Sequence, residues 1–251
     1  MSSTNEKPYL AAWLHGGSVA CGSPATAPER PYRLVLLGAP GVGKGTQAEL
    51  LASHLGACQL STGDVFRAAK DADPAARSPK LNEALEFMRR GELVPDETVI
   101  GIVRERAGCL RYAAGFLLDG FPRTVAQAEA LAGLLAEQGI ALDAVLSYEL
   151  PLERIVARLA GRRTCGQCKA VFHVESIPPQ VEGVCDHCGG ALIQREDDRP
   201  ESIRVRMAAY ETSTRPLADF YARQGLLRTI SAEGSPEAIY QRTEEVLRQL
   251  G

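Results

Sequence analysis

Lys44 is the residue with the plainest chemistry. It stands in Gly38-Ala39-Pro40-Gly41-Val42-Gly43-Lys44-Gly45-Thr46. Glycines in such a run let successive backbone N–H groups turn inward around an anion, and the lysine adds a mobile positive charge for terminal phosphates. The usual pattern has Ser or Thr directly after the lysine. Here Gly45 intervenes and Thr46 comes one place later, which puts direct coordination of Mg²⁺ by that hydroxyl in question. Asp119 is a second candidate. It ends the apolar run Phe116-Leu117-Leu118 and precedes Gly120-Phe121-Pro122-Arg123, with Gln127 a helical turn further on. A carboxylate at the tip of a core strand, in a chain with a phosphate loop, can organise Mg²⁺ directly or through its waters; a simple Asp-Gly turn is the bland alternative. Around Ser61-Thr62-Gly63-Asp64, Thr62 offers a hydroxyl and Arg67 a planar donor suited to phosphate. Helix capping with a solvated arginine would explain the same residues.

The cysteines point to different chemistry. Cys165-Gly166-Gln167-Cys168 and Cys185-Asp186-His187-Cys188 are two C-x-x-C knuckles separated by sixteen residues. That spacing predicts a four-thiolate tetrahedral zinc site rather than redox disulfides. Four thiolates leave no open position, so the metal would be structural. His173 and His187 read as surface residues or neighbours of the ligands. Cys21, Cys58 and Cys109 are scattered, a usage that suits a reducing compartment better than a disulfide framework.

The elements that must position these groups are legible. Leu34-Val35-Leu36-Leu37 is a continuous apolar run, the pattern of a strand buried on both faces of a parallel sheet, and Ala48, Leu51, Ala52 and Leu55 recur at helical spacing before Gly56. Further strands are predicted at 57–60, 116–118, 144–148 and 226–230. Helices are predicted from Ser78-Pro79 to Gly91, through Val99, Ile102 and Val103, over 124–138, from Pro151, from Pro200 through Ile203, Met207 and Tyr210, and over 236–250. Five strands alternating with helices give an α/β fold, a parallel sheet with helices on both faces. Arg154, Arg158 and Arg162 step by four, which would stack them along one helix face toward the cysteine cluster; Arg195, Arg199, Arg204 and Arg206 follow on its far side.

A net charge of −3 over 251 residues argues against a generally basic nucleic-acid or membrane surface. No apolar stretch approaches the ~18 residues needed to span a bilayer. Residues 1–30, rich in Ser, Ala, Gly and Pro, read as a disordered or loosely attached extension. The run Leu10 to Cys21 is broken by His15, Gly16 and Gly17, and Glu6 sits where a signal peptide should be basic, so a signal peptide is the minority reading.

Taken together, the Gly-Ala-Pro-Gly-Val-Gly-Lys-Gly-Thr-Gln loop, Leu60 to Asp64, Gly91 to Glu97, Asp119 to Arg123, Gly161-Arg162-Arg163 and Arg195 to Asp198 resemble adenylate kinase, in its bacterial form with a long zinc-bearing lid. The resemblance covers about residues 32 to 250 and includes the Gly-Lys-Gly-Thr variant of the loop. It implies a nucleoside monophosphate kinase fold of the phosphate-loop type. The core would span 31–61, 92–157 and 196–251, a small helical insertion for the monophosphate 62–91, and a zinc-containing lid 158–195. It implies that Gly41, Val42, Gly43, Lys44, Gly45 and Thr46 hold ATP with Arg158 and Arg162. By the same carry-over Thr62, Gly63, Arg67, Val94, Gly120, Arg123, Gln127, Arg195 and Arg206 bind AMP, with Gln127 reading the adenine edge. Lys44, Arg123, Arg158, Arg162, Arg195 and Arg206 would surround the transferring phosphoryl group, with Asp119 linked to Mg²⁺ and Cys165, Cys168, Cys185 and Cys188 holding zinc. The implied partners are ATP, AMP and ADP, for a cytoplasmic monomer without nucleic-acid or membrane partners. Glu92 stands where relatives often carry lysine, and the segment from Lys70 to Lys80 is longer than usual.

Two alternatives keep some of these observations. A pyrimidine or other monophosphate could be the acceptor on the same fold. Otherwise the cysteine module could be a nucleic-acid-binding zinc ribbon beside a nucleotide switch, but its charges nearly balance and Phe172 is its one stacking aromatic.

Overall fold

A computed structural model describes residues 30–90 and 94–250. The extension expected over residues 1–30, apart from Arg30, and Gly91, Glu92 and Leu93 lie outside the described residues. The described strands are β1 (Tyr32–Leu37), β2 (Cys58–Ser61), β3 (Gly115–Asp119), β4 (Ala144–Glu149), β5 (Arg162–Cys165), β6 (Val171–His173), β7 (Leu192–Ile193) and β8 (Leu227–Ser231). The helices are α1 (Lys44–Leu55), α2 (Thr62–Asp71), α3 (Pro79–Arg89), α4 (Asp96–Arg104), α5 (Ala107–Leu110), α6 (Val125–Glu137), α7 (Leu152–Gly161), α8 (Pro200–Ala209), α9 (Pro216–Arg223) and α10 (Pro236–Arg248).

The main sheet has five parallel strands in the order β2-β3-β1-β4-β8. Its central strands are apolar along their length because both faces are covered. Leu34 and Leu36 pack with Leu117, Ala144 and Leu146 against Ala48 and Leu51 of α1 and Ile239 and Leu247 of α10. Val35 and Leu37, one residue out of phase, face the opposite side with Leu60, Leu118 and Val145, where Val65, Leu81, Ile102, Leu131 and Leu217 close the layer. Alternation along a strand thus serves two cores at once. Helix starts follow capping chemistry: the Ser61, Ser78, Thr124 and Ser235 side chains each accept from a first-turn N–H, and Pro opens α3 and α10.

β1 is in register with β3, pairing Leu36 with Asp119, and β2 pairs Ser61 with Asp119. This brings the phosphate loop after β1, the Thr62 segment after β2 and the Asp119 segment after β3 to one edge of the sheet. That is the carboxyl edge, where ligands bind in open α/β sheets.

A separate three-stranded antiparallel sheet, β6-β5-β7, carries the cysteines, and three strands there were not expected. Its buried apolar set is only Cys165, Phe172 and Cys185, with Cys168, Ala170 and Leu192 partly buried against it. The helix expected from Pro200 ends at Ala209, and a π-type turn over Tyr210–Thr214 joins it to α9. Ile203, Met207 and Tyr210 nevertheless pack together against Ile155 and Leu159 of α7, as their spacing predicts. The Arg154, Arg158, Arg162 row does not form as expected. α7 ends at Gly161, so Arg162 is the first residue of β5 and leaves the helical face.

Candidate active site and metal centre

The phosphate loop is shaped by close approaches that only glycine allows. Gly38 has φ 139°, and a Cβ there would fall 2.5 Å from the carbonyl oxygen of Tyr148 in β4; Gly41, at φ 82°, would meet the Leu159 side chain at 2.5 Å. The left-handed Gly43 then starts α1 with no side-chain cap, so the first-turn N–H groups face the loop. Lys44 Nζ curls back to donate to the carbonyl oxygens of Gly38, at 2.6 Å, and Ala39, at 3.0 Å. Burial lowers its pKa to about 8, opposed by the Asp119 carboxylate and reinforced by the charges of Arg123, Arg206 and Arg162.

Asp119 sits beside this loop, with Oδ2 3.8 Å from where a Cβ of Gly45 would be. Burial pushes its carboxyl up and Lys44 pulls it down. A carboxylate whose charge burial disfavours gains from a cation, so the donor set fits a magnesium ion carried in with phosphates. Across the sheet edge, Thr62 Oγ1 and Arg123 Nε both donate to the Gly120 carbonyl oxygen, at 2.9 and 2.8 Å. Gly63 lies under the Arg67 guanidinium, which pairs with Asp64. Gln127 is buried, its Oε1 accepting from the Arg123 N–H at 2.8 Å and its Nε2 donating to Asp96 Oδ1 at 2.6 Å. Val94 packs at the margin of the adjoining core.

The arginines converge. Arg158 donates to the carbonyl oxygens of Val42, at 3.1 Å, and Ala232, at 2.8 Å, so it flanks the phosphate loop rather than the cysteines. Arg162 grips the buried Asp198 with two N–H groups, the Nε contact at 2.7 Å. Arg206 reaches Asp197 Oδ2 at 3.0 Å and Asp198 Oδ1 at 3.5 Å. Arg195 Nε donates to Thr164 Oγ1 at 2.9 Å, and burial with the neighbouring Arg162 and Arg67 charges lowers its pKa to about 10. Burial likewise lowers Arg123, with Asp119 opposing and Arg206 and Arg67 adding. Guanidinium groups that depress one another share one space. Arg199 and Arg204 are exposed on the surface and take no part in this cluster. Sequence reasoning missed Asp96 and Asp198. Asp96 opens α4 and Asp198 closes the short helical turn Glu196–Asp198, places where an acid is ordinary; both fell inside stretches quoted from the sequence, but neither was given a role.

A family model of adenylate kinase matches residues 36–226. An adenylate kinase of Carboxydothermus hydrogenoformans is 50% identical over 217 residues, covering 86% of this chain and 100% of the relative. Those of Thermodesulfovibrio yellowstonii and Acidothermus cellulolyticus are 49% and 50% identical, covering 83% and 86% of this chain and 95% and 98% of theirs. The chain belongs to the adenylate kinase family.

Apart from these residues stands the cysteine module. The four sulfurs lie within 4.8 Å of one another, with Cys165 to Cys188 at 3.4 Å and Cys168 to Cys185 at 3.5 Å. A tetrahedron of Zn–S bonds of ~2.3 Å needs sulfurs about 3.8 Å apart, so the set is closed enough to hold such an ion. Burial raises the Cys165 thiol, but N–H groups of Cys168 and Gln167 and the Cys188 sulfur overcome this and bring it down to about 6. Burial pushes Cys168 up to about 12, and the three other sulfurs add to the rise against the Ala170 N–H. Four crowded thiols cannot all ionise without a cation among them. This adenylate kinase module is therefore compatible with a zinc site. A Cβ at Gly190 would sit 3.0 Å from Cys165 Sγ, so the turn after the second knuckle needs glycine. His173 Nδ1 accepts from the Glu175 and Ser176 N–H groups and His187 stacks near Phe172; neither joins the cluster. Among the described residues no helix is long and apolar enough to cross a membrane.

Proposed function

We propose that this chain transfers the γ-phosphoryl group of ATP to AMP, reversibly and with Mg²⁺, giving two ADP by direct in-line attack. The observation that carries the reading is the convergence of Arg123, Arg162 and Arg206 on Lys44, where burial is the main cause of the lowered pKa and the three guanidinium charges add to it, while Arg162 and Arg206 meet on Asp198. Phosphoryl transfer asks little covalent help of a protein. It asks for in-line positioning and for cations where charge spreads in the transition state.

In this reading Gly41 to Thr46 cradle the ATP phosphates with Arg158 and Arg162. Thr62, Gly63, Arg67, Val94, Gly120, Arg123, Gln127, Arg195 and Arg206 hold AMP, with Gln127 against the adenine edge. Asp119 would hold the magnesium ion, which would supply positive charge against the phosphate oxygens. Residues 62–91 serve as the monophosphate-binding insertion, 158–195 as the lid, and the remainder of 31–251 as the core. Zinc in the four-cysteine site stiffens the lid and touches no reacting atom. The reading is of a cytoplasmic monomer, since one chain supplies both nucleotide sites, with no nucleic-acid or membrane partner.

A coupled assay of ADP formation from ATP and AMP with Mg²⁺ tests this. Activity in the parent and a fall of ~10³ or more in Arg123→Ala are expected, the scale for losing a charge-stabilising arginine. A folded Arg123→Ala within tenfold of the parent would remove the arginine ring from the mechanism.

A further inference from the structure

Gln127 does not choose its own orientation. Its amide offers an acceptor on Oε1 and a donor on Nε2, and a half-turn about its last torsion exchanges the two. The partners forbid that exchange. Arg123 N–H can only donate, and it meets Oε1 at 2.8 Å. The Asp96 carboxylate can only accept, and it meets Nε2 at 2.6 Å while its other oxygen accepts from Thr124 Oγ1 at 2.7 Å. Reversing the amide would set donor against donor at Arg123 and acceptor against acceptor at Asp96. Thr124 is in turn fixed as the cap of α6, accepting from the Gln127 N–H at 3.2 Å. Asp96 opens α4, so the clamp ties two helices across the site.

These contacts leave Gln127 one N–H and one lone pair for a ligand. Adenine presents an exocyclic N–H donor beside a ring-nitrogen acceptor. On the Watson–Crick edge a 6-oxopurine presents at the same two positions an O6 acceptor beside an N1–H donor, although its N7 stays an acceptor as in adenine. A glutamine free to turn over satisfies either base equally, whereas one held in a single orientation satisfies only one. We propose that Asp96 is the positioning residue that locks the Gln127 amide and so makes the monophosphate site discriminate adenine from 6-oxopurines. This rests on the reading of Gln127 as the base contact given above.

The measurement is kcat/KM for AMP and for IMP, with MgATP saturating, in the parent and in Asp96→Ala, Asp96→Asn and Gln127→Leu. Asp96→Ala removes one of two restraints. Losing one hydrogen bond and one repulsive alternative, the AMP-to-IMP ratio is expected to fall about tenfold to a hundredfold. The change should fall on KM for IMP and AMP, with kcat on saturating AMP within about threefold of the parent. Asp96→Asn can still hydrogen-bond Gln127 and hold α4 to α6, but its amide can itself turn over and donate to a reversed Gln127, so it should lose much of the ratio as well; a residue that merely tied the two helices would keep the parent ratio in this variant. A folded Asp96→Ala with an unchanged ratio, while Gln127→Leu loses it, overturns the proposal and leaves the base contact standing. If Gln127→Leu also keeps the parent ratio, the base contact itself is wrong and the proposal falls with it.

Discussion

Lys44 is held by its loop in two ways at once, through bonds to the Gly38 and Ala39 carbonyl oxygens and through a burial cost that lowers its pKa to about 8. In the ligand-free protein its charge is therefore lost as pH rises through about 8, and bound phosphate must restore it. KM for MgATP is expected to rise above that pH while kcat at saturation stays flat further into the alkaline range; a pH profile of both constants would show it. The stability sign follows the same shift. Between about 8 and 10.5 the unfolded lysine binds a proton that the folded one has released, so this group makes the folded state more stable with rising pH across that window. Urea unfolding of the parent should accordingly gain on Lys44→Met from pH 8 to 10.5. A parent stability that did not rise relative to Lys44→Met would mean that Lys44 keeps its proton in the empty site.

At the scale of elements, two links decide how the lid is hung. The first is the buried contact of Arg162 at the start of β5 with Asp198 ahead of α8, a carboxylate with no exposed side-chain surface. Removing one partner of such a pair leaves the other charge buried alone, so Asp198→Asn should cost ~3–5 kcal/mol in denaturant unfolding. A loss below 1 kcal/mol would mean that water or Arg206 compensates. The second link is the cysteine module. Three buried residues are no independent core, and closing four thiolates on zinc can supply ~10 kcal/mol or more toward folding. Cys165→Ser with Cys168→Ser should thus lower Tm, by differential scanning, while turnover below that Tm is retained. Loss of turnover in the folded variant would give the metal a part in the chemistry. The phosphate loop is a third such unit: Gly41→Ala would drive a Cβ into Leu159, and weaker MgATP binding is expected by calorimetry.

For the molecule as a whole, the question is how the phosphoryl group reaches a nucleotide rather than water. The main sheet and its two cores are built from residues that do not include the cysteine sheet, whose buried cluster stands apart. Replacing 166–190 by a short glycine linker should therefore leave the main fold intact and keep Arg162 and Arg195. With the lid shortened, exclusion of water fails, and the ratio of phosphate released to ADP formed should rise. An unchanged ratio would show that the core alone seals the site. The monophosphate helices behave differently, since Val65, Leu81 and Leu85 of α2 and α3 belong to the same core as Val35 and Leu118. That segment cannot be trimmed without opening the core.

What the linear chain determined by itself was whatever depends on near neighbours. Leu34 to Thr46 reads as strand, anion loop and helix because backbone freedom, burial on two faces and helix spacing are local properties, and the C-x-x-C knuckles read as a metal site because each is a single turn. The five strands and the groups at their carboxyl ends followed from the same patterns. Only the tertiary structure decided which charges answer one another. Arg158 turns to Val42 and Ala232 instead of the cysteines, Arg162 leaves its helix for Asp198, and Asp96 clamps Gln127 across 31 residues. Side chains of this length reach partners set by strand order and register, and Asp96 and Glu97, both in the first turn of α4, look alike in sequence until the fold brings one of them to a buried amide.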